Sequence, residues 1–234
     1  IQRIFKNYRL TGFLPQLGIH PRKSGATGFT RILQYGVSTQ SDVENFQPFI
    51  MLEDDVSFFR EWPQTLSYPA DCDFLFIGLS KWGLQPEQDD DEYGVYFDKV
   101  AYQGSIDEDI VKVYNMLSFH GVMVCSPHAV EILLRCMKVG YNTGKVWDIF
   151  TAMIQPYYNV YALTVPLVYQ DKDYKGNEKT TKVLFHPKNN KEGLFINKIF
   201  QERLQKYHCL QYAVEHGTNP SRHQHMELNK MVEK

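Results

Sequence analysis

The sequence predicts a single α/β domain in which a mixed, mostly parallel sheet is flanked by helices. Three observations lead to this class. Of the 234 residues, 43% are hydrophobic and 22% are charged, which are ordinary values for a globular protein and exclude a disordered chain. Short apolar runs end abruptly at acids or glycines, and stretches with helical spacing lie between them. Strands that alternate with helices are typical of layered α/β domains.

The predicted strands are apolar throughout rather than alternately apolar and polar. They cover residues 49–52, 74–77, 122–125 and 160–169. Continuous apolar runs of this length indicate strands that are buried on both faces, as in a parallel or mixed sheet covered by helices.

The helices are predicted from their start and stop signals. Ser126 followed by Pro127 is typical of an N-cap and a first helical turn, and the helical pattern that follows ends at Gly140. Further helices are predicted over 145–155 and 194–215, and residues 217–234 read as a polar tail of the single domain that spans 1–234.

Charge and cysteine usage restrict the classes of partner and compartment. The formal net charge is −2, so no global positive field favours nucleic acid as a partner. No apolar run is long enough to span a bilayer, and the first ten residues lack the apolar core of a signal peptide. The 4 cysteines form no CxxC pair. We therefore expect reduced thiols and a cytoplasmic or intraviral location.

An acidic triplet is the sharpest chemical feature of the sequence. Glu53, Asp54 and Asp55 directly follow four apolar residues, which puts carboxylates at the carboxyl end of a buried strand, where ligands of open α/β sheets bind. Neighbouring carboxylates repel, so a cation is needed to compensate them, and oxygen ligands favour Mg²⁺ or Mn²⁺. Alternation along the chain puts Glu53 and Asp55 on one face. The alternative is a solvated acidic loop.

At this point the sequence resembles glycosyltransferase family 25, which contains bacterial lipooligosaccharide galactosyltransferases and procollagen galactosyltransferases. The segment PFIMLEDDVSFF resembles the "LEDD" segment of that family. Further segments resemble family motifs in the same order along the chain: 25–29, 73–78, 120–126, 146–148 and 166–170. Family members usually begin with an additional strand and a basic segment. Because this chain starts at Ile1 without them, we expect either a trimmed amino terminus or a differently built base pocket.

The resemblance implies a GT-A fold, a Rossmann-like sandwich, and transfer of a hexose with inversion from a UDP-sugar to a glycan or glycoprotein hydroxyl. Galactose and glucose are the expected sugars, and Mn²⁺ or Mg²⁺ the cofactor. Asp55 would ligate the metal and Glu53 would reach the metal or the ribose, with Asp54 beside the nucleotide. Asp148 matches the acid at the start of a family helix and would be the general base. The alternative for Asp148 is a favourable interaction with the helix dipole.

Other candidates for donor contacts follow the predicted strands. Lys81 would meet a phosphate, and Trp82 would stack on a sugar, although packing and solvation are the alternatives. Gly25 and Gly28 would let the backbone approach the nucleotide, with turn geometry as the alternative.

Two histidines and two other functions complete the predictions. His186 is a candidate metal ligand, and His120 a candidate for metal or phosphate contact, although a lone histidine is more often structural. A metal-dependent phosphoryl-transfer enzyme or nuclease would also use clustered acids. A non-catalytic module that binds a nucleotide-sugar would keep the fold without turnover.

Overall fold

The computed structural model describes residues 11–13, 16–41, 45–80, 82–84, 97–100, 102–103 and 109–170. The predicted helix over 194–215, the polar tail over 217–234, Lys81 and His186 lie outside these residues. Trp82 is described through its backbone. In the described helices, no segment is long and apolar enough to cross a membrane.

The described part of the chain mixes helices with short strands, as predicted. In chain order the elements are α1 (Pro21–Ser38), β1 (Phe49–Leu52), β2 (Val56–Phe58), β3 (Phe74–Phe76), β4 (Trp82–Leu84), β5 (Phe97–Lys99), β6 (Tyr102–Gln103), β7 (Ile110–Val113), β8 (Gly121–Val124), α2 (Pro127–Thr143), α3 (Trp147–Ile154), a 3₁₀ turn (Gln155–Tyr157), β9 (Val160–Leu163) and β10 (Val168–Gln170).

Six strands form the main sheet, in the order β1-β8-β3-β9-β7-β6. Only β3 and β9 pair in parallel, and the other neighbouring pairs of this sheet are antiparallel. The prediction of a mostly parallel sheet was therefore wrong. A strand that is apolar on both faces indicates that both faces of the sheet are covered. Parallel and antiparallel strands can both be covered in this way, so the apolar pattern does not determine the strand direction.

The sheet separates two apolar layers, because alternate residues of each strand point to opposite faces. Val122 and Val124 of β8 belong to the layer that includes residues of α1, α2 and α3, whereas Met123 belongs to the opposite layer. The opposite layer includes Val56 and Val168 from the separate antiparallel pair of β2 and β10.

The predicted start of α2 is confirmed, and its predicted end is not. Ser126 Oγ accepts a hydrogen bond from the Ala129 peptide N–H over 3.0 Å, and Pro127 lies in the first turn. The helix continues through Gly140 to Thr143 and is capped by Gly144, which has a φ of 68°. A Cβ on Gly140 would lie 2.7 Å from the Cβ of Trp147. Gly140 is therefore a packing contact between α2 and α3 rather than a helix stop.

The predicted strand over 160–169 is two strands in different sheets. β9 joins the main sheet, whereas β10 pairs with β2. Pro166 lies between them and has no N–H to donate to a ladder. The predicted helix over 145–155 is also shorter, since α3 begins at Trp147 and passes into the 3₁₀ turn.

Candidate functional site

One edge of the main sheet collects several of the polar residues that the sequence singled out. β1 and β3 run in the same direction because both are antiparallel to β8, and β9 runs parallel to β3. The carboxyl ends of these three strands therefore share one edge. Glu53 follows β1 there, and His120 lies immediately before β8 at the same edge.

The acidic triplet forms the connection from β1 to β2. Glu53 and Asp55 are half-buried and Asp54 is exposed, which agrees with the predicted alternation. The Glu53 peptide N–H donates to the His120 carbonyl over 3.1 Å, which continues the pairing of β1 with β8 by one residue. The backbone of Glu53 is thus held in place by the main sheet.

Gln170 brings the two half-buried acids together. Its Nε2 donates to Asp55 Oδ2 over 3.0 Å and to Glu53 Oε2 over 3.4 Å. The pairing of β10 with β2 sets this contact, because Gln170 lies opposite Val56, the residue after Asp55. The neutral amide of Gln170, which is far from the acids in the sequence, therefore connects their two carboxylates.

Two buried side-chain atoms in the described part of the chain have no hydrogen-bond partner, and both belong to residues at this edge. They are Asp55 Oδ1 and His120 Nε2. Leaving a buried polar atom unpaired costs about 1–3 kcal/mol, so such atoms are uncommon and mark strain or a missing ligand.

His120 is deeply buried at the edge, with 3% of its surface exposed. Its Nδ1 shares a 2.5 Å hydrogen bond with Ser118 Oγ, and its ring lies against the Cα of Gly78, where a Cβ would overlap Nε2. Burial lowers the pKa of His120 to about 4, so the ring is neutral at pH 7. In either neutral tautomer Nε2 stays without a partner.

Ser118 links His120 to Asp148. It has a φ of 80°, which is unusual for a residue other than glycine. Its peptide N–H donates to Asp148 Oδ2 over 3.2 Å. Strained backbone that its surroundings hold in place is found disproportionately at functional sites. A continuous series of contacts therefore runs from Asp148 through Ser118 and His120 to the acid pair.

Asp148 lies in the first turn of α3, as predicted, and both of its proposed roles remain compatible with that position. Burial raises the pKa of its carboxyl, although hydrogen bonds from peptide N–H groups, including that of Ser118, act in the opposite direction. A carboxylate with a raised pKa is a stronger base near neutral pH.

The remaining predicted contacts have different outcomes. Gly25 and Gly28 do not form a turn, because both lie inside α1. Gly25 faces Trp147, whose Nε1 would be 3.4 Å from an added Cβ, while nothing lies within 4 Å of one on Gly28. The side chain of Trp82, together with Lys81 and His186, is outside the described part, so these assignments stay predictions.

Among the described residues, no three His, Cys, Asp or Glu side chains converge as a ready metal-binding set. The acid pair fits a hard divalent ion nevertheless, since Mg²⁺ is typically held by one or two carboxylates and completes its shell with water and phosphate oxygens. The unpaired Asp55 Oδ1 is an oxygen that such an ion would satisfy.

Sequence reasoning missed two residues of this site. Gln170 is the last residue of the "P-L-V-x-Q" segment. That segment contributed to the family resemblance, but the sequence assigned no function to the glutamine. Ser118 gave no signal, because positive φ at a serine follows from tertiary contacts rather than from the local sequence. Conversely, Asp73 of the "D-apolar-apolar-LG" segment lies at the opposite edge, where it binds Ser126 Oγ and the Asn159 peptide N–H.

Comparison of the chain with protein-family models, curated proteins and solved structures finds no match. The resemblance to glycosyltransferase family 25 therefore depends on the motifs of the sequence itself.

Proposed function

We propose that this chain is a metal-dependent glycosyltransferase of the GT-A type. It would transfer a hexose, galactose or glucose, from a UDP-sugar to a hydroxyl of a glycan or glycoprotein, with inversion. The observation that carries the proposal is the acid pair, Glu53 and Asp55, held together by Gln170 at the carboxyl ends of strands of like direction.

The contacts between separate motifs support this proposal. The resemblance rests on segments that are far apart in the sequence, and three of them meet at one edge. The acidic triplet contacts Gln170 through side chains and His120 through the backbone. Because an accidental likeness in separate segments gives no reason for them to meet, the contacts favour a common functional origin.

The acid pair would hold the divalent ion. When bound, Mn²⁺ or Mg²⁺ supplies positive charge that stabilises the leaving diphosphate. Glu53 and Asp55 would contribute the two carboxylates from backbone that is held in place, since the Glu53 peptide N–H bonds to the His120 carbonyl and Asp55 lies in the turn before β2. Gln170 Nε2 joins the two side chains. Fixed ligands lower the entropic cost of orienting the donor.

Asp148 is the proposed general base. Its burial raises its pKa, which makes the carboxylate a better acceptor for the proton of an acceptor hydroxyl. Ser118 holds one of its oxygens through the backbone, and the second oxygen would take the proton.

Binding of the donor tests the metal-dependent part. We expect UDP-galactose or UDP-glucose to raise the melting temperature of the protein in the presence of Mn²⁺ and not in its absence. Asp55→Ala should remove this shift while the protein stays folded. Glu131→Gln, which changes an exposed residue of α2, is the control. Unchanged UDP affinity of Asp55→Ala by calorimetry would contradict the proposal.

Turnover tests Asp148. In Asp148→Asn the amide oxygen can still accept the Ser118 N–H, so donor binding should be retained while transfer falls roughly 10²–10⁴-fold. Normal turnover would remove the assignment. Binding without any transfer in the wild type would favour the non-catalytic module, and Mg²⁺-dependent cleavage of DNA would favour the phosphoryl-transfer alternative.

A further inference from the structure

Gln170 is an exposed residue with an unusually specific set of contacts. Its side chain lies on the surface, yet its Nε2 donates to two carboxylates, Asp55 Oδ2 and Glu53 Oε2. A glutamine NH₂ has two hydrogens, so each acid receives one. The contact is positioned by the strand pairing of Gln170 with Val56 and is not a chance meeting of flexible surface side chains.

The amide group has a second property that matters at this position. Its oxygen and nitrogen occupy nearly the same positions after a half-turn about the last side-chain torsion, which is a soft torsion. One orientation presents two donors to the acids, and the other presents a carbonyl oxygen. Because Gln170 is exposed, the amide can turn without displacing packed side chains of the described residues.

We propose that Gln170 acts on the acid pair in two ways. Without a cation, its NH₂ neutralises part of the repulsion between Glu53 and Asp55 and keeps them close. With a cation, the amide turns and its carbonyl oxygen becomes a third oxygen ligand. This inference rests on the proposed function, since it requires the acid pair to bind a divalent ion.

Binding of Mn²⁺ alone, without nucleotide, separates this role from a purely structural one. In Gln170→Leu the donor and the carbonyl oxygen are both lost, and we expect the Mn²⁺ affinity measured by calorimetry to fall roughly tenfold. If Gln170 only competed with the cation, the same variant would bind Mn²⁺ more tightly. Equal or tighter binding would therefore overturn the inference, as would a lack of Mn²⁺ binding by the wild type.

Gln170→Glu provides the second variant. It supplies an oxygen ligand but no donor, so its Mn²⁺ affinity should equal or exceed that of the wild type. Its melting temperature without metal should fall, because three carboxylates then repel one another, and Mn²⁺ should restore it. A glutamate variant with weaker Mn²⁺ binding would contradict a ligand role.

The outcomes also separate this inference from the proposed function. If Gln170→Leu binds Mn²⁺ as the wild type does, and the wild type still binds a UDP-sugar with Mn²⁺, the inference fails and the glycosyltransferase proposal stands. If Mn²⁺ binding responds as expected but no UDP-sugar binds, the proposed function fails and the role of Gln170 stands.

Discussion

At the scale of single residues, His120 stands out because its buried environment disfavours the protonated, positively charged imidazole. The ring is 3% exposed, and burial lowers its pKa to about 4. His120 contacts Ser118, which in turn donates a hydrogen bond to Asp148. The Glu53 peptide N–H donates to the His120 carbonyl. A neutral imidazole with one unpaired nitrogen is thus held between the two acidic parts of the candidate site.

This environment predicts a loss of stability in acid for the metal-free protein. In the unfolded chain His120 binds a proton near its usual pKa of 6.5, whereas the folded protein resists protonation until about 4. The contribution of His120 is therefore complete above pH 6.5 and is lost as the pH falls to 4, by about 3 kcal/mol. Urea denaturation at pH 7 and pH 4 measures the difference.

His120→Phe is the reference for that measurement, because phenylalanine keeps a ring and cannot titrate. The raised pKa of Asp148 has the opposite effect on stability in acid, but it is present in both proteins and largely cancels. The wild type should lose about 3 kcal/mol more than the variant between the two pH values. Parallel pH profiles would show that His120 does not control this dependence.

At the scale of elements, Asp73 ties three of them together at the edge opposite the candidate site. It precedes β3, and its two oxygens accept hydrogen bonds from Ser126 Oγ over 2.9 Å and from the Asn159 peptide N–H over 3.0 Å. Ser126 caps α2, and Asn159 immediately precedes β9. One carboxylate therefore fixes where a helix and a neighbouring strand begin.

Removing this carboxylate should weaken the fold and leave the chemistry in place. Two hydrogen bonds to a charged acceptor contribute about 1.5–3 kcal/mol each. Asp73 is only half-buried, so water replaces part of that sum, and Asp73→Ala should lower the free energy of unfolding by about 2–4 kcal/mol. Mn²⁺ affinity at the opposite edge should not change. Asp54→Ala, at an exposed carboxylate, should alter stability by less than about 0.5 kcal/mol. A loss of Mn²⁺ binding in Asp73→Ala would indicate that the two edges are coupled.

The elements also show what the sequence can and cannot predict. β1 was predicted with its observed bounds, because an apolar run that ends at an acid marks both burial and its limit. The direction of β8 was not predictable. Its partners in β1 are 69–75 positions away and those in β3 are 46–50 positions away, and pairing depends on the path of the chain between them. Local patterns determine the elements, and long-range contacts determine their order.

The candidate site divides in the same way. The acids were predicted from their position after a strand, and Asp148 from the resemblance of residues 146–148 to the start of a family helix. Gln170 and Ser118 were not, because their roles come from contacts with residues 115 and 30 positions away. A function that needs residues from distant segments is only partly visible before the fold is known.

At the scale of the whole described fold, an aromatic cluster connects the candidate site to the core. The ring of Phe119 packs against four other aromatic rings. Measured between ring centroids, it lies 5.9 Å from Phe29 of α1 and 5.0 Å from Trp147 of α3. It lies 6.1 and 5.8 Å from Phe74 and Phe76 of β3. Phe119 is also the residue between Ser118 and His120. The packing that joins both helices to the sheet therefore also fixes the strained segment of the site.

Truncation of Phe119 should consequently affect stability and binding together. Phe119→Ala creates a cavity among four rings, and we expect it to lower the free energy of unfolding by about 3–5 kcal/mol. Phe119→Leu fills part of that volume and should cost about 1–2 kcal/mol, so it remains informative if the alanine variant does not fold. Val37→Ala removes apolar surface from an exposed position of α1 and should change stability by less than about 0.5 kcal/mol.

Because the Ser118 segment loses its support in the Phe119 variants, Mn²⁺ affinity should decrease in the order wild type, leucine variant, alanine variant. Destabilised variants that retain full Mn²⁺ affinity would show that the acid pair is positioned by the strands alone.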